Sequence, residues 1–161
     1  MNPDVTQTEM TWIVMPGQAN ALGTVFGGQV MAWVDVCAAV AAQRFARTNV
    51  VTAAMDSLSF LAPVRQGDIV IVKGMVNWAG RSSMEVGVRV EREDPRTGVR
   101  ERTSTAYLTF VALGDDGRPT AVPDLKPETT EQRRRWDEAC VRRQQRLAAK
   151  AALLASKDRP L

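Results

Sequence analysis

The sequence predicts an α+β fold in which an antiparallel β-sheet wraps around one long central α-helix, with a second, basic helix at the C-terminus. Residues 30–42 form an apolar run that only Asp35 interrupts. The run predicts a long buried helix over residues 27–47 rather than a strand. After this run the period of the apolar residues changes to about two. An antiparallel sheet that follows a single apolar helix buries that helix by curling around it.

The elements are predicted in the order strand, long helix, four strands and tail helix. Residues 1–8 are polar and are predicted to be disordered. Residues 9–15 suit a short strand, because Pro16-Gly17 ends it. The four later strands alternate apolar and polar side chains between turns rich in Gly, Pro and Asp; they are predicted at residues 50–62, 69–78, 84–91 and 102–113.

The domain organisation follows from these elements. Residues 9–122 are predicted to form the main domain, and residues 123–161 a linker and a basic amphipathic helix that spans residues 128–156. Between Glu131 and Leu161, nine Lys or Arg residues accompany four Asp or Glu residues. The overall net charge of +3 therefore hides a C-terminal segment of about +5.

The amino-acid composition limits both the cellular compartment and the kinds of catalysis that we expect. No apolar run is long enough and sufficiently free of charge to predict a membrane span. The polar, acidic start of the chain does not resemble a signal peptide, and Cys37 and Cys140 lack metal-ligand spacing. We therefore expect a cytoplasmic protein. Histidine is absent, which excludes Ser-His-Asp and Cys-His catalysis and histidine-ligated metals.

Asp35 is the most informative residue, because it interrupts the apolar run of the long helix. A carboxylate is rarely buried unless it is paired or takes part in chemistry. The glycine-marked loop at residues 20–28 leads into the same helix. A polar loop, a helix N-terminus and an isolated acid within about two turns of it predict an active site, with Asp35 as general base or nucleophile.

Several short motifs in order resemble the hotdog-fold acyl-CoA thioesterases, and in particular the bacterial short- and medium-chain acyl-CoA hydrolases related to the brain-type cytosolic enzyme. The resemblance covers about residues 10–113. It rests on Met15-Pro16, Asn20 with Gly23, Phe26-Gly27-Gly28, Met31, Trp33 with Asp35, Val51-Thr52 with Asp56, Phe60 with Pro63, Gly67-Asp68, and Val76 followed by Gly80-Arg81-Ser82-Ser83-Met84-Glu85-Val86.

The resemblance implies roles for particular residues. In that family, thioester hydrolysis is associated with a loop asparagine and a helix aspartate that meet across a dimer; these correspond to Asn20 and Asp35. It also implies a dimer or a trimer of dimers that binds CoA between subunits. From the residues themselves, the free amides of Gly27 and Gly28 at the helix start are candidate oxyanion donors. The remaining candidates for substrate contact are Phe26, Met31, Thr52, Gly80, Arg81, Ser82 and Ser83.

Each candidate also has a structural interpretation. Asp35 would cap a turn or pair with an Arg, and Gly27-Gly28 would only allow close helix–sheet packing. Asn20 would be an Asx-turn residue. The segment 80–83 would be an ordinary hairpin with a solvated Arg. Asp56, on an otherwise apolar strand face, would pair with an Arg or cap backbone groups near the dimer interface.

The basic helix has three interpretations. The arginines at positions 133–135, 142, 143 and 146 would form a solvated face, attract the nucleotide of CoA, or bind nucleic acid. No recognition motif supports nucleic acid, so we expect none. Trp136 is placed to dock this helix on the body of the domain.

The predicted function is acyl-CoA hydrolysis to a free fatty acid and CoA, with no metal or other cofactor. Hotdog dehydratases are disfavoured because their usual forms employ a catalytic histidine, and this chain has none. The alternative from another class is a non-catalytic acyl-CoA-binding or regulatory module.

Overall fold

The structure, a computed structural model, describes residues 1–155 and has the predicted architecture of an antiparallel sheet around a long helix. Its elements are β1 (Thr8–Ile13), α1 (Gly27–Ala46), β2 (Asn49–Phe60), β3 (Ile69–Ala79), β4 (Ser83–Glu93), β5 (Arg100–Leu113) and α2 (Thr130–Ala155). The predicted strands and long helix agree with these bounds to within a few residues. The end of the predicted tail segment, residues 156–161, lies outside the described residues.

The five strands form one antiparallel sheet in the order β1-β3-β4-β5-β2. Strands β1 and β2 are therefore the two edges. β4 shows how the alternating sequence creates two faces: Met84, Val86, Val88 and Val90 are buried and point to the same side. We call this side, which packs on α1, the inner face, and the opposite side the outer face.

Helix α1 supplies the apolar centre of the domain. Val34, Cys37, Ala38 and Phe45 are completely buried in the main core cluster. The helix approaches β3 closely at Gly74, where an added Cβ would lie 3.3 Å from the Cys37 sulfur. Burial of the Cys37 thiol raises its pKa to about 11, so this cysteine is the small core residue that the sequence predicts.

The N-terminal segment differs from the expectation of disorder over residues 1–8. Pro3–Thr6 form a short 3-10 helix, and Thr6 is completely buried. The Thr6 hydroxyl oxygen accepts a hydrogen bond from the Val76 amide at 3.0 Å. The prediction was wrong because this partner lies 70 positions away in the sequence, where local composition carries no signal.

Helix α2 lies on the outer face. The Arg142 guanidinium donates two hydrogen bonds to the buried Glu85 carboxylate, at 2.7 and 3.1 Å, and its carbon lies 3.6 Å from the centre of the Tyr107 ring. Arg146 pairs with Asp56, which confirms the structural interpretation of that acid. α2 is therefore attached to the sheet through charged pairs.

The basic residues of α2 divide into two groups, so the interpretation as one solvated face is wrong. Arg142 and Arg146 bind acids of the sheet, whereas Arg133 and Arg134 are exposed. Trp136 lies 6.2 Å from Trp78, measured between ring centres, and docks α2 as predicted. None of the helices within residues 1–155 is long and apolar enough to cross a membrane.

Candidate active site

Asp35 lies in the third turn of α1 and is held by strand β2. The Thr52 hydroxyl donates a hydrogen bond to Asp35 Oδ1 at 2.8 Å. The carboxylate is only partly buried, which corrects the expectation of a buried acid. The reason is its position on the helix: Val34 and Cys37 face the core, whereas Asp35 faces the β2 edge of the sheet.

The side of α1 that carries Asp35 remains apolar although it is uncovered. Met31, one turn before Asp35, is 44% exposed, and Val36 is 51% exposed. On the neighbouring edge strand, no residue of β2 is completely buried. Exposed apolar side chains beside a partly exposed acid are typical of a binding site or an interface.

Asn20 adopts the turn that its structural interpretation predicts. Its Oδ1 accepts hydrogen bonds from the Leu22 amide at 2.9 Å, and from the Thr24 amide and hydroxyl at 3.3 and 3.1 Å. Gly23, at φ 72°, supplies the left-handed conformation that closes this loop. The carboxamide oxygen is thereby occupied, which leaves the amide N–H groups as the available donors.

The start of α1 presents free backbone donors. Phe26 O accepts from the amides of Gln29 and Val30, while the Gly27 and Gly28 amides have no acceptor among the described residues, as expected for the first turn of a helix. An added Cβ at Gly28 would lie 2.5 Å from the Phe26 ring. The Phe26 ring therefore occupies the space beside Gly28, so this glycine makes room for an aromatic side chain rather than for close helix–sheet packing.

These groups do not converge within one chain. Gly28 precedes Asp35 by seven residues, which corresponds to about 10.5 Å along a helix. None of the hydrogen bonds described for Asn20 involves Asp35. A single chain thus holds an acid and a set of donors at separate places.

The hairpin at residues 80–83 lies at the same end of the sheet as Thr52. In the strand register, Met84 of β4 pairs with Phe110 of β5, and Phe110 pairs with Thr52 of β2. Two strand spacings, about 10 Å, therefore separate Thr52 from the start of β4. Arg81 is exposed, and the hairpin itself is closed by the Gly80 amide donating to Ser83 O at 2.8 Å.

Two clefts lie on opposite sides of the sheet. The first, of about 410 Å³, adjoins the start of α1 and is lined by Gly27, Val30, Phe60 and Pro63 among others. The second, of about 750 Å³, lies on the outer face beneath α2 and is lined mostly by charged and polar side chains. Only the first is close to the predicted site residues, and most of the residues that line it are apolar.

Sequence reasoning missed two features of this region. Thr52 was predicted only to contact substrate, and the structure adds that its hydroxyl donates a hydrogen bond to Asp35. Phe60 was not proposed as a site residue, although its ring lies 3.6 Å from the position of a Cβ at Gly27. The sequence signal that could have identified Phe60 was its place, with Pro63, among the motifs that carry the family resemblance. Among the described residues, no group of three or more His, Cys, Asp or Glu side chains is arranged to hold a metal ion.

Comparison with known proteins agrees with this geometry. A sequence profile described as the thioesterase superfamily matches residues 22–99. An uncharacterized acyl-CoA thioester hydrolase of Bacillus subtilis, YkhA, is 46% identical over 74% of this chain and 69% of its own length. Mouse acyl-coenzyme A thioesterase 11 is 38% identical over 90% of this chain, which spans only 25% of that longer protein.

Solved structures show the same fold. The acyl-CoA hydrolase of Staphylococcus aureus, solved with butyryl coenzyme A, coenzyme A and coenzyme A disulfide, has a TM-score of 0.90 and 36% identity, over 97% of this chain and 95% of its own. An apo-hexameric acyl-CoA thioesterase has a TM-score of 0.90 and 38% identity, over 94% and 97%. Alanine variants of one aspartate, one asparagine and one threonine of the S. aureus enzyme have also been solved.

The chain therefore belongs to the thioesterase superfamily. The predicted class, a hotdog-fold thioester hydrolase of the acyl-CoA hydrolase type, is confirmed by these relatives.

Proposed function

We propose that the protein hydrolyses acyl-CoA thioesters to free fatty acids and CoA. The observation that supports this most directly is the Asp35 carboxylate, held by Thr52 at 2.8 Å beside an exposed apolar surface. One carboxylate oxygen accepts the Thr52 hydroxyl, and the other is left to act on water or on the thioester carbon. Asp35 then acts as general base or as nucleophile.

The oxyanion donors complete the reaction. The amides of Gly27 and Gly28 begin α1 without acceptors among the described residues, and a helix N-terminus favours developing negative charge. The side-chain amide of Asn20 is the remaining donor, since its oxygen is engaged in the loop. Asn20 thus positions water or the thioester carbonyl.

Two chains are needed to assemble this site. Because Gly28 and Asp35 are about 10.5 Å apart along one helix, the acid of one subunit would meet the donors of another. The exposed side of α1 and the uncovered edge strand β2 supply a surface for such a dimer. Hexameric thioesterases among the solved structures support a trimer of dimers.

The variants of the S. aureus enzyme support the choice of residues. Its replaced asparagine, aspartate and threonine are separated by fifteen and seventeen positions. Asn20, Asp35 and Thr52 have the same separations. We therefore assign these three residues to the reacting end of the substrate, with Phe26, Met31 and the 410 Å³ cleft beside them for the acyl chain.

The hairpin Gly80-Arg81-Ser82-Ser83 is assigned to the CoA moiety. Arg81 is exposed, and a guanidinium is suited to bind the phosphates of CoA through charge-assisted hydrogen bonds. The reaction requires no metal or other cofactor, since the carboxylate, the water and the amides supply its acid–base and electrostatic needs. We place it in the cytoplasm, as the name of the human cytosolic acyl coenzyme A thioester hydrolase suggests for that relative.

The experiment is a thiol-release assay on acyl-CoA esters from acetyl to palmitoyl, with wild type, Asp35→Asn and a matched control, Asp137→Asn. Asp137 is an exposed acid on α2, so its replacement makes the same change in charge away from the site. We expect a loss of at least about 100-fold in kcat for Asp35→Asn with CoA binding retained, and wild-type rates for Asp137→Asn.

Two outcomes would contradict the proposal. A folded Asp35→Asn variant with near-normal turnover would remove the role of the carboxylate. Tight CoA binding by the wild type without turnover on any chain length would favour the acyl-CoA-binding module instead. A thiol reagent reports released CoA cleanly, because Cys37 is buried with its pKa raised to about 11, and Cys140→Ser removes the other thiol.

A further inference from the structure

Helix α2 crosses the outer face of the sheet from one strand to the next. Trp136 contacts Trp78 of β3, Arg142 binds Glu85 of β4, and Arg146 binds Asp56 of β2. The ten residues from Trp136 to Arg146 span about 15 Å of helix, which equals about three strand spacings. Arg146 is therefore the point at which α2 reaches the edge of the sheet.

The helix continues beyond that edge. We call residues 147–155 the α2 tail; every one of them is exposed, and Lys150 is its one charged residue. Nine residues extend about 13.5 Å, or nearly three strand spacings past β2. The tail is thus a projecting apolar helix.

The tail presents leucines on the side that faces the sheet. Leu153 and Leu154 follow Arg146 by seven and eight positions, so all three lie on the same face of the helix. Leu153 is 69% exposed and Leu154 is 54% exposed. Up to Arg146 this face is covered by the chain's own sheet, and after Arg146 that sheet has ended.

Strand β2 shows what would continue the sheet. It is a twelve-residue edge strand with no buried residue. Because the sheet order ends at β2, no other strand within residues 1–155 pairs with its free edge. Long exposed edges are normally covered. A second copy paired along this edge would place its own outer face directly beneath the tail, because an antiparallel pair of identical edges is related by a two-fold axis.

We propose that the α2 tail crosses the β2 edge and packs, through Leu153 and Leu154, on the outer face of the second copy. In such a dimer, each α2 tail packs on the other copy and stabilises the dimer. This inference rests on the dimer that belongs to the proposed function, but it does not rest on the proposed hydrolysis reaction.

The test compares three full-length proteins: wild type, Leu153→Lys with Leu154→Lys, and a control, Ala148→Lys with Ala152→Lys, on the side of the helix turned away from the sheet. The readout is dimer dissociation in a dilution series by sedimentation, or the rate of subunit exchange between labelled populations if the assembly stays intact. We expect the leucine variant to raise the dissociation constant or the exchange rate about tenfold or more, because it buries charge without partners, and the control to match wild type.

Amide hydrogen exchange over residues 147–155 is the second readout, with protection expected in wild type and lost in the leucine variant. The inference is overturned if the leucine variant dissociates like wild type, if wild type is monomeric, or if the variant forms stable dimers that only fail to assemble further. The last result would place the tail between dimers. An inactive Asp35→Asn protein that retains the leucine effect would separate this inference from the proposed reaction.

Discussion

The two faces of the sheet hold their helices by different means. On the inner face, Val86, Leu108 and Phe110 are almost completely buried against α1. On the outer face, Glu85 is just as buried at 2% exposure but bonds to Arg142 of α2. One helix is held by non-directional apolar contact, and the other by two directional ion pairs beside the smaller contact of Trp136 with Trp78.

The apolar contacts of α1 therefore contribute mainly to the stability of the fold, whereas the ion pairs of α2 mainly define its position. Burial of apolar area stabilises α1 wherever side chains interlock. A buried ion pair contributes little net stability, because the desolvation of both charges offsets their attraction. Its geometry is demanding, however, so the pairs on the outer face define where α2 crosses the sheet. That crossing determines where the α2 tail leaves the sheet.

The largest expected effect in stability is on the inner face. Phe45 is completely buried on α1, so Phe45→Ala should lower the free energy of unfolding by about 3–5 kcal/mol. Urea denaturation measures the change. Val99→Ala, at a position that is 64% exposed, is the control and should cost under about 1 kcal/mol. Equal costs at the two positions would deny that α1 forms the core.

The next effect is on the outer face. Arg142→Ala leaves the Glu85 carboxylate buried without its partner, so we expect a loss of about 2–4 kcal/mol. The double replacement Arg142→Met with Glu85→Gln should recover most of that loss, because it removes both charges. A double-mutant cycle by urea denaturation measures the coupling; additive costs would mean that the pair does not define the position of α2.

The smallest effect is on the solvent side of α2. Hydrogen bonds from Arg134 and then Arg135 lower the pKa of Glu131 to about 2. Since the pKa is lower in the folded chain than its ordinary value of 4.5, this interaction stabilises the fold above pH 4.5 and is lost as the pH falls towards 2.

Thermal unfolding of wild type and Glu131→Gln over that pH range checks the sign. The small difference in melting temperature should be present at neutral pH, vanish near pH 2 and shrink in high salt, because the residue is exposed. A difference that grows on acidification would contradict the assignment.

The sequence predicted the elements well, because alternation and a long apolar run are local signals. The same local reasoning misplaced Asp35 in the interior, since the apolar neighbours of Asp35 in the sequence include exposed residues such as Met31 and Val36. Exposed apolar residues on the surface of a helix have the same local composition as core residues, so the sequence does not distinguish them. The pairing of Glu85 with Arg142 joins positions 57 residues apart and leaves no periodic trace, so the role of α2 required the structure.

The attachment of α2 by charges also has a thermal consequence. Apolar burial weakens on cooling, and the cost of desolvating charged groups rises on cooling because it falls as temperature rises. Cooling therefore weakens both the contact between α1 and the sheet and the ion pairs that hold α2. The two helices of this small domain respond to temperature in the same sense, although for different physical reasons.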